Sequence, residues 1–152
     1  MLVGAFVMKQ REKQVLIELQ TRIDDQGDTE KNYVKQTGRF YNRNNMDVLI
    51  YEEELEDGAI IKNLVTIQSD KVNIKRSGII TMNQQFIVDQ ITETHYEHPH
   101  GTFHMETFTD SVTYESLETN DQGRLTIDYT VKLNGLNKRK HLLELTYKEN
   151  AE

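Results

Sequence analysis

Arg76 continues the parity of Val72 and Ile74, so if those two face a core, a guanidinium follows them inward just before the Ser77-Gly78 turn. Glu52 continues the parity of Val48 and Ile50 in the same way. A charge taken out of water needs a partner, which leaves two inward arrangements: an Arg76–Glu52 ion pair, or Arg76 held for an anionic ligand. The remaining arrangement has both strands ending early and both side chains reaching solvent. Gln84 shares its parity with Ile80, Met82, Phe86 and Val88, while Tyr96, Tyr114 and Tyr129 prolong apolar faces. A few polar groups set in an apolar lining make a small-molecule site. The same residues also suit a barrel filled by its own side chains.

Four histidines, His95, His98, His100 and His104, crowd around the single proline, Pro99. His98-Pro99-His100-Gly101 is a turn sequence with Pro second and Gly fourth. Centring the hairpin between Pro99 and His100 sets His95 opposite His104 and Glu93 opposite Glu106, and puts Tyr96, Phe103 and Met105 on the other face. Imidazoles beside carboxylates invite a metal. An exterior sheet face, however, lacks the surrounding groups that orient metal ligands, so the expectation is a solvated hairpin and no metal.

Sequence motifs for catalysis are missing: there is no G-x-S-x-G, no H-E-x-x-H, no P-loop and no Gly-rich dinucleotide fingerprint. The expectation is a non-enzymatic protein without a cofactor. The run Lys138-Arg139-Lys140-His141 reads as a solvated hairpin flank, because an overall charge of -7 repels phosphate and argues against a nucleic-acid partner.

The elements that must position these residues are strands. Apolar residues alternate with polar ones in Val15-Ile17-Leu19 with Ile23, Val72-Ile74, Leu125-Ile127-Tyr129-Val131 and Leu143-Leu145-Tyr147. Less regular runs bring the total to about eleven strand-like segments, some of them one strand broken by a bulge. Asp57-Gly58, Ser77-Gly78, Asp121-Gln122-Gly123 and Asn134-Gly135 supply turn chemistry between them. Short turns imply sequential antiparallel pairing, and a meander this long leaves two bare edges unless its first strand meets its last. The expected fold is therefore one all-β domain, an antiparallel up-and-down barrel of about 8 to 10 strands with little helix, in which Val15 to Ile23 pairs near Leu142 to Tyr147.

The chain has no cysteine, which fits a reducing compartment, and its longest apolar run, Met1 to Met8, is far short of the roughly 20 residues of a membrane span. A cytoplasmic protein with no membrane partner is expected, with residues 1–7 as an optional extension. The expected function is a barrel binding a small amphipathic or anionic molecule through Arg76, Glu52, Gln84, Tyr96, Tyr114 and Tyr129. An alternative is a protein-interaction module or homodimer using the outer barrel face, for which Leu49 and Tyr51 are candidates because their parity opposes Val48 and Ile50.

Arg76-Ser77-Gly78 followed by Met82-Asn83-Gln84-Gln85-Phe86 resembles the central signature of the YwiB-like family of small bacterial proteins. Thr37-Gly38-Arg39-Phe40-Tyr41, Tyr51-Glu52-Glu53 and Gly123-Arg124-Leu125-Thr126-Ile127-Asp128-Tyr129 agree in order and spacing, from about Met8 to Tyr147. The resemblance implies a calycin-like barrel akin to lipocalins and fatty-acid-binding proteins, located in the cytoplasm. It carries no functional residues across, because the family's biochemical role is unassigned.

Overall fold

The computed structural model describes residues 12–150, so the expected extension at residues 1–7 lies outside the described residues. Ten strands follow one another: β1 (Lys13–Asp25), β2 (Asp28–Arg43), β3 (Met46–Glu54), β4 (Ile60–Ile67), β5 (Val72–Ser77), β6 (Thr81–Phe86), β7 (Ile91–His98), β8 (Gly101–Glu115), β9 (Gly123–Leu133) and β10 (Lys138–Glu149). Each pairs antiparallel with the next, and β1 also pairs with β10, from Val15 opposite Glu149 to Asp24 opposite Lys140. The sheet is a closed barrel without a free edge. Among the described residues there is no helix, hence none long and apolar enough to cross a membrane.

Turn chemistry sets the pairing. Asn44 and Asn45 both have positive φ, as do Gln26 and Gly27, so β1–β2 and β2–β3 close as two-residue hairpins whose twist matches that of the strands. The hairpin at Pro99 has the expected register, with His95 opposite His104 and Tyr96 opposite Phe103. One of the long strands, β8, is broken by a bulge, its register shifting between Thr109 and Ser111. Gly123 corrects an expectation: it begins β9 directly opposite Tyr147 and is not a positive-φ turn residue.

Turns after odd-numbered strands gather at one end of the barrel, here the upper end. Those after even-numbered strands gather at the lower end, beside Lys13 and Glu149. Between them, Ile17, Phe40, Leu49, Phe86, Leu125, Ile127, Leu145 and Tyr147 form the best-buried part of the core. Phe40 packs on Tyr147 with centroids 5.2 Å apart, and Phe86 meets Tyr129 edge-on at 4.8 Å.

Polar bonds tie walls that the ladders do not join. Asp47 on β3 accepts from Tyr114 and Ser116, on and just after β8, although β3 and β8 are not sheet neighbours. These bonds cross the lumen and brace the lower end.

Candidate functional site

The inner face of β3 reads Asp47, Leu49, Tyr51, Glu53, with a carboxylate near each end and an apolar centre. Leu49 is fully buried and Tyr51 4% exposed, whereas Glu52 is exposed and faces Lys62 across the outer ladder. Two expectations are thereby corrected. Glu52 is not the partner of Arg76, and Leu49 and Tyr51 offer no outer face to a protein partner or a second copy. The physical reason is that Val48-Leu49-Ile50-Tyr51 is apolar at both parities, so alternation is silent there. Neighbours decide instead: Tyr51 crosses Gly38, whose missing side chain leaves room, and Leu49 lies beside Val65.

Adjacent ladder positions then assemble one inward row, Tyr51, Asn63, Arg76 and Met82, across β3 to β6. Arg76 does point inward, and Glu53 supplies its counter-charge: Nη2 donates to Glu53 Oε1 at 3.0 Å, and Nε donates to Asn63 Oδ1 at 3.1 Å. Asn63 Nδ2 donates to the same Glu53 oxygen at 2.8 Å, closing a triangle of three side chains.

This triangle sits in the wall of a cavity of about 920 Å³ that runs from the core to the upper end. Its lining includes apolar Leu19, Val65, Ile74, Val131 and Leu145, together with polar Gln84, Tyr51, Tyr96, Tyr129 and His141. Gln84 donates through Nε2 to Thr107 Oγ1 at 2.8 Å, and its carbonyl oxygen accepts from none of the described side chains. Burial raises the pKa of both Tyr51 and Tyr129, so both hydroxyls stay protonated as donors.

Of the six sequence candidates, four meet at this cavity: Arg76, Gln84, Tyr96 and Tyr129. Glu52 lies outside the barrel. Tyr114 points inward but at the lower end, where it lines a separate cavity of about 650 Å³ and donates to Asp47 at 2.6 Å. Sequence reasoning missed Glu53, Asn63, Asp47 and His141. His141 could have been found, since it shares the parity of Leu143, Leu145 and Tyr147. Inside that basic run, Arg139 lines the cavity mouth against Asp25 at 3.2 Å, while Lys140 lies outside near Asp110 and Asp128.

His141 stacks on Tyr129 with ring centroids 4.9 Å apart, and burial together with the nearby Arg139 charge lowers its pKa to about 4. An unfolded chain keeps histidine near its ordinary value of about 6.5, so between these limits the unfolded state binds more protons. Stability from this group is therefore complete above the upper limit and is lost as pH falls through the window. Allowing for partial solvent access, acidification from about pH 7 to about pH 4.5 should cost about 1–2 kcal/mol through this group. Urea midpoints should fall more in the wild type than in His141→Gln. Equal falls would assign the acid sensitivity elsewhere.

On the outer wall, His104 Nε2 lies 3.3 Å from Glu93, and Glu106 completes a three-residue cluster. It lies on the outer face that the hairpin register sets, with Glu93 exposed and His104 and Glu106 half-buried.

Relatives share this architecture. The chain is 29% identical over 140 residues to the uncharacterized beta-barrel protein YwiB of Bacillus subtilis (strain 168), covering 92% of this chain and 96% of that protein. The crystal structure of the ywiB protein from Bacillus subtilis superposes with a TM-score of 0.83 at 27% identity, covering 97% of this chain and 99% of the other. Residues 17–145 match the family model DUF1934, a domain of unknown function, and a barrel with this register and these matches belongs to the DUF1934 family.

Proposed function

We propose that the chain is a non-enzymatic, cytoplasmic barrel that holds a small amphipathic molecule in its lumen, with the polar end at the Arg76–Glu53–Asn63 triangle. The observation that carries this reading is the cavity itself. Side chains fill the barrel around Phe40 and Tyr147 but leave about 920 Å³ open above them, within the usual range for small-molecule sites of about 300–1,000 Å³. A stability-driven core would close such a volume, since each unfilled space forfeits packing. The mouth supports an amphipathic guest: Leu136, an exposed apolar residue in the turn after β9, lines it. The absence of cysteine fits a reducing compartment.

N-phenyl-1-naphthylamine, an uncharged apolar fluorophore, tests the lumen directly. It should bind saturably with one site per chain, and Met82→Trp, which puts an indole into the cavity wall, should weaken it by about tenfold or more while the barrel stays folded. Binding that is unsaturable, or indifferent to a folded Met82→Trp protein, removes the proposal.

A further inference from the structure

The two cations that line the upper cavity are each paired with a carboxylate. Arg76 is paired with Glu53 at 3.0 Å, Arg139 at the mouth is paired with Asp25 at 3.2 Å, and the half-buried His141 imidazole stacks on Tyr129. Glu30 contributes an exposed carboxylate at the rim. A guest with a net charge finds no uncompensated counter-charge at the depth of the triangle. An anion drawn to Arg76 meets the Glu53 carboxylate beside it, and a cation drawn to Glu53 meets the guanidinium.

What the triangle leaves unused is a donor nitrogen on Arg76 and an acceptor oxygen on Glu53, within one ion pair. Arg76 spends Nε on Asn63 and one Nη2 hydrogen on Glu53, so among the described residues Nη1 has no protein partner. Glu53 Oε1 accepts twice, from Arg76 and Asn63, while Oε2 accepts from no described side chain. The Tyr51 hydroxyl adds a protonated donor on the same wall, and Gln84, on the strand next to that of Arg76, a carbonyl oxygen that accepts from none of the described side chains. Such a pair is completed by a group that accepts from the guanidinium with one atom and donates to the carboxylate with another.

Building on the lumen reading above, we infer that the guest is uncharged and ends in a primary-amide-like group, its oxygen toward Arg76 and its N–H toward Glu53. The apolar remainder lies along Leu19, Val65, Ile74 and Val131. Selectivity follows from the ion pair, because a buried site built to meet a donor and an acceptor rejects an analogue that leaves either one unmet.

Displacement of N-phenyl-1-naphthylamine by octanamide, octanoate and octylammonium, which share one chain length and differ in head group, tests this at neutral pH. Octanamide should displace the probe at a concentration about tenfold or more below either ion. Glu53→Gln leaves the Arg76 charge uncompensated and should move the preference to octanoate, while Arg76→Gln should move it to octylammonium. The two variants are independent, so one of them failing to fold leaves the other decisive. Octanoate or octylammonium winning on the wild type, or a folded variant that keeps the wild-type order, overturns the amide assignment and leaves the lumen reading standing. No saturable probe binding by the wild type removes both.

Discussion

Asp47→Ala should lower the unfolding free energy by about 3 kcal/mol, because it strands three donors that the native barrel points at one carboxylate. Asp47 is 6% exposed and accepts from Asn42 Nδ2 at 2.7 Å, Tyr114 at 2.6 Å and Ser116 Oγ at 2.5 Å, while the Tyr114 hydroxyl also touches that of Tyr147. Each donor left unmet costs about 1–3 kcal/mol, reduced here because Asn42 and Ser116 border the lower cavity and water can replace part of the loss. Asp47→Asn keeps the shape and one acceptor oxygen, so it should cost about 1 kcal/mol. The two substitutions separate hydrogen bonding from volume. Because β3 and β8 are not neighbours in the sheet, these bonds join opposite walls, and amide exchange should quicken around Val112 to Glu115 in the Ala variant. Urea unfolding of both variants is the measurement. A loss below about 1 kcal/mol in Asp47→Ala would show that the ladders alone hold the lower end closed.

The barrel was legible because its cause is local. Alternation in Val15 to Ile23, Leu125 to Val131 and Leu143 to Tyr147 fixes one buried face per strand, and short turns force sequential pairing, so closure follows from edge avoidance. The site was legible only where alternation was clean. Arg76 and Gln84 were placed inside by unbroken parity with Val72, Ile74 and Phe86. On β3, four consecutive apolar residues carried no phase. The choice between Glu52 and Glu53 was made by contacts that no window on one strand contains: Gly38 making room for Tyr51, and Asn63 offering both a donor and an acceptor. Tyr114 marks a second kind of limit. Its inward direction follows from parity, but which end of the lumen it reaches depends on the shift of β8 past Thr109 and on the tilt of the strands. Periodicity assigns a side chain to the inside of a barrel, and only the closed sheet assigns it to a depth.

Gly123→Ala should be equally damaging, at about 3 kcal/mol, through overpacking. The residue is in strand conformation and needs no left-handed backbone, so the cost is steric alone. A methyl carbon there would fall within 2.6 Å of Tyr147 Cε2 and closer still to Cζ and Cε1, overlapping the ring itself. Tyr147 has nowhere to go: it is 1% exposed, packs on Phe40, and holds its hydroxyl against Tyr114. Relief therefore requires the β9–β10 ladder to part or the Phe40 contact to open, and both are core features. A double-mutant cycle isolates the clash. In a Tyr147→Leu background the smaller side chain vacates the ring position, so adding Gly123→Ala should then cost less than about 1 kcal/mol, a coupling of about 2 kcal/mol between facing residues. Additive losses would mean that Gly123 serves the backbone of the preceding turn and not the seat of the tyrosine ring.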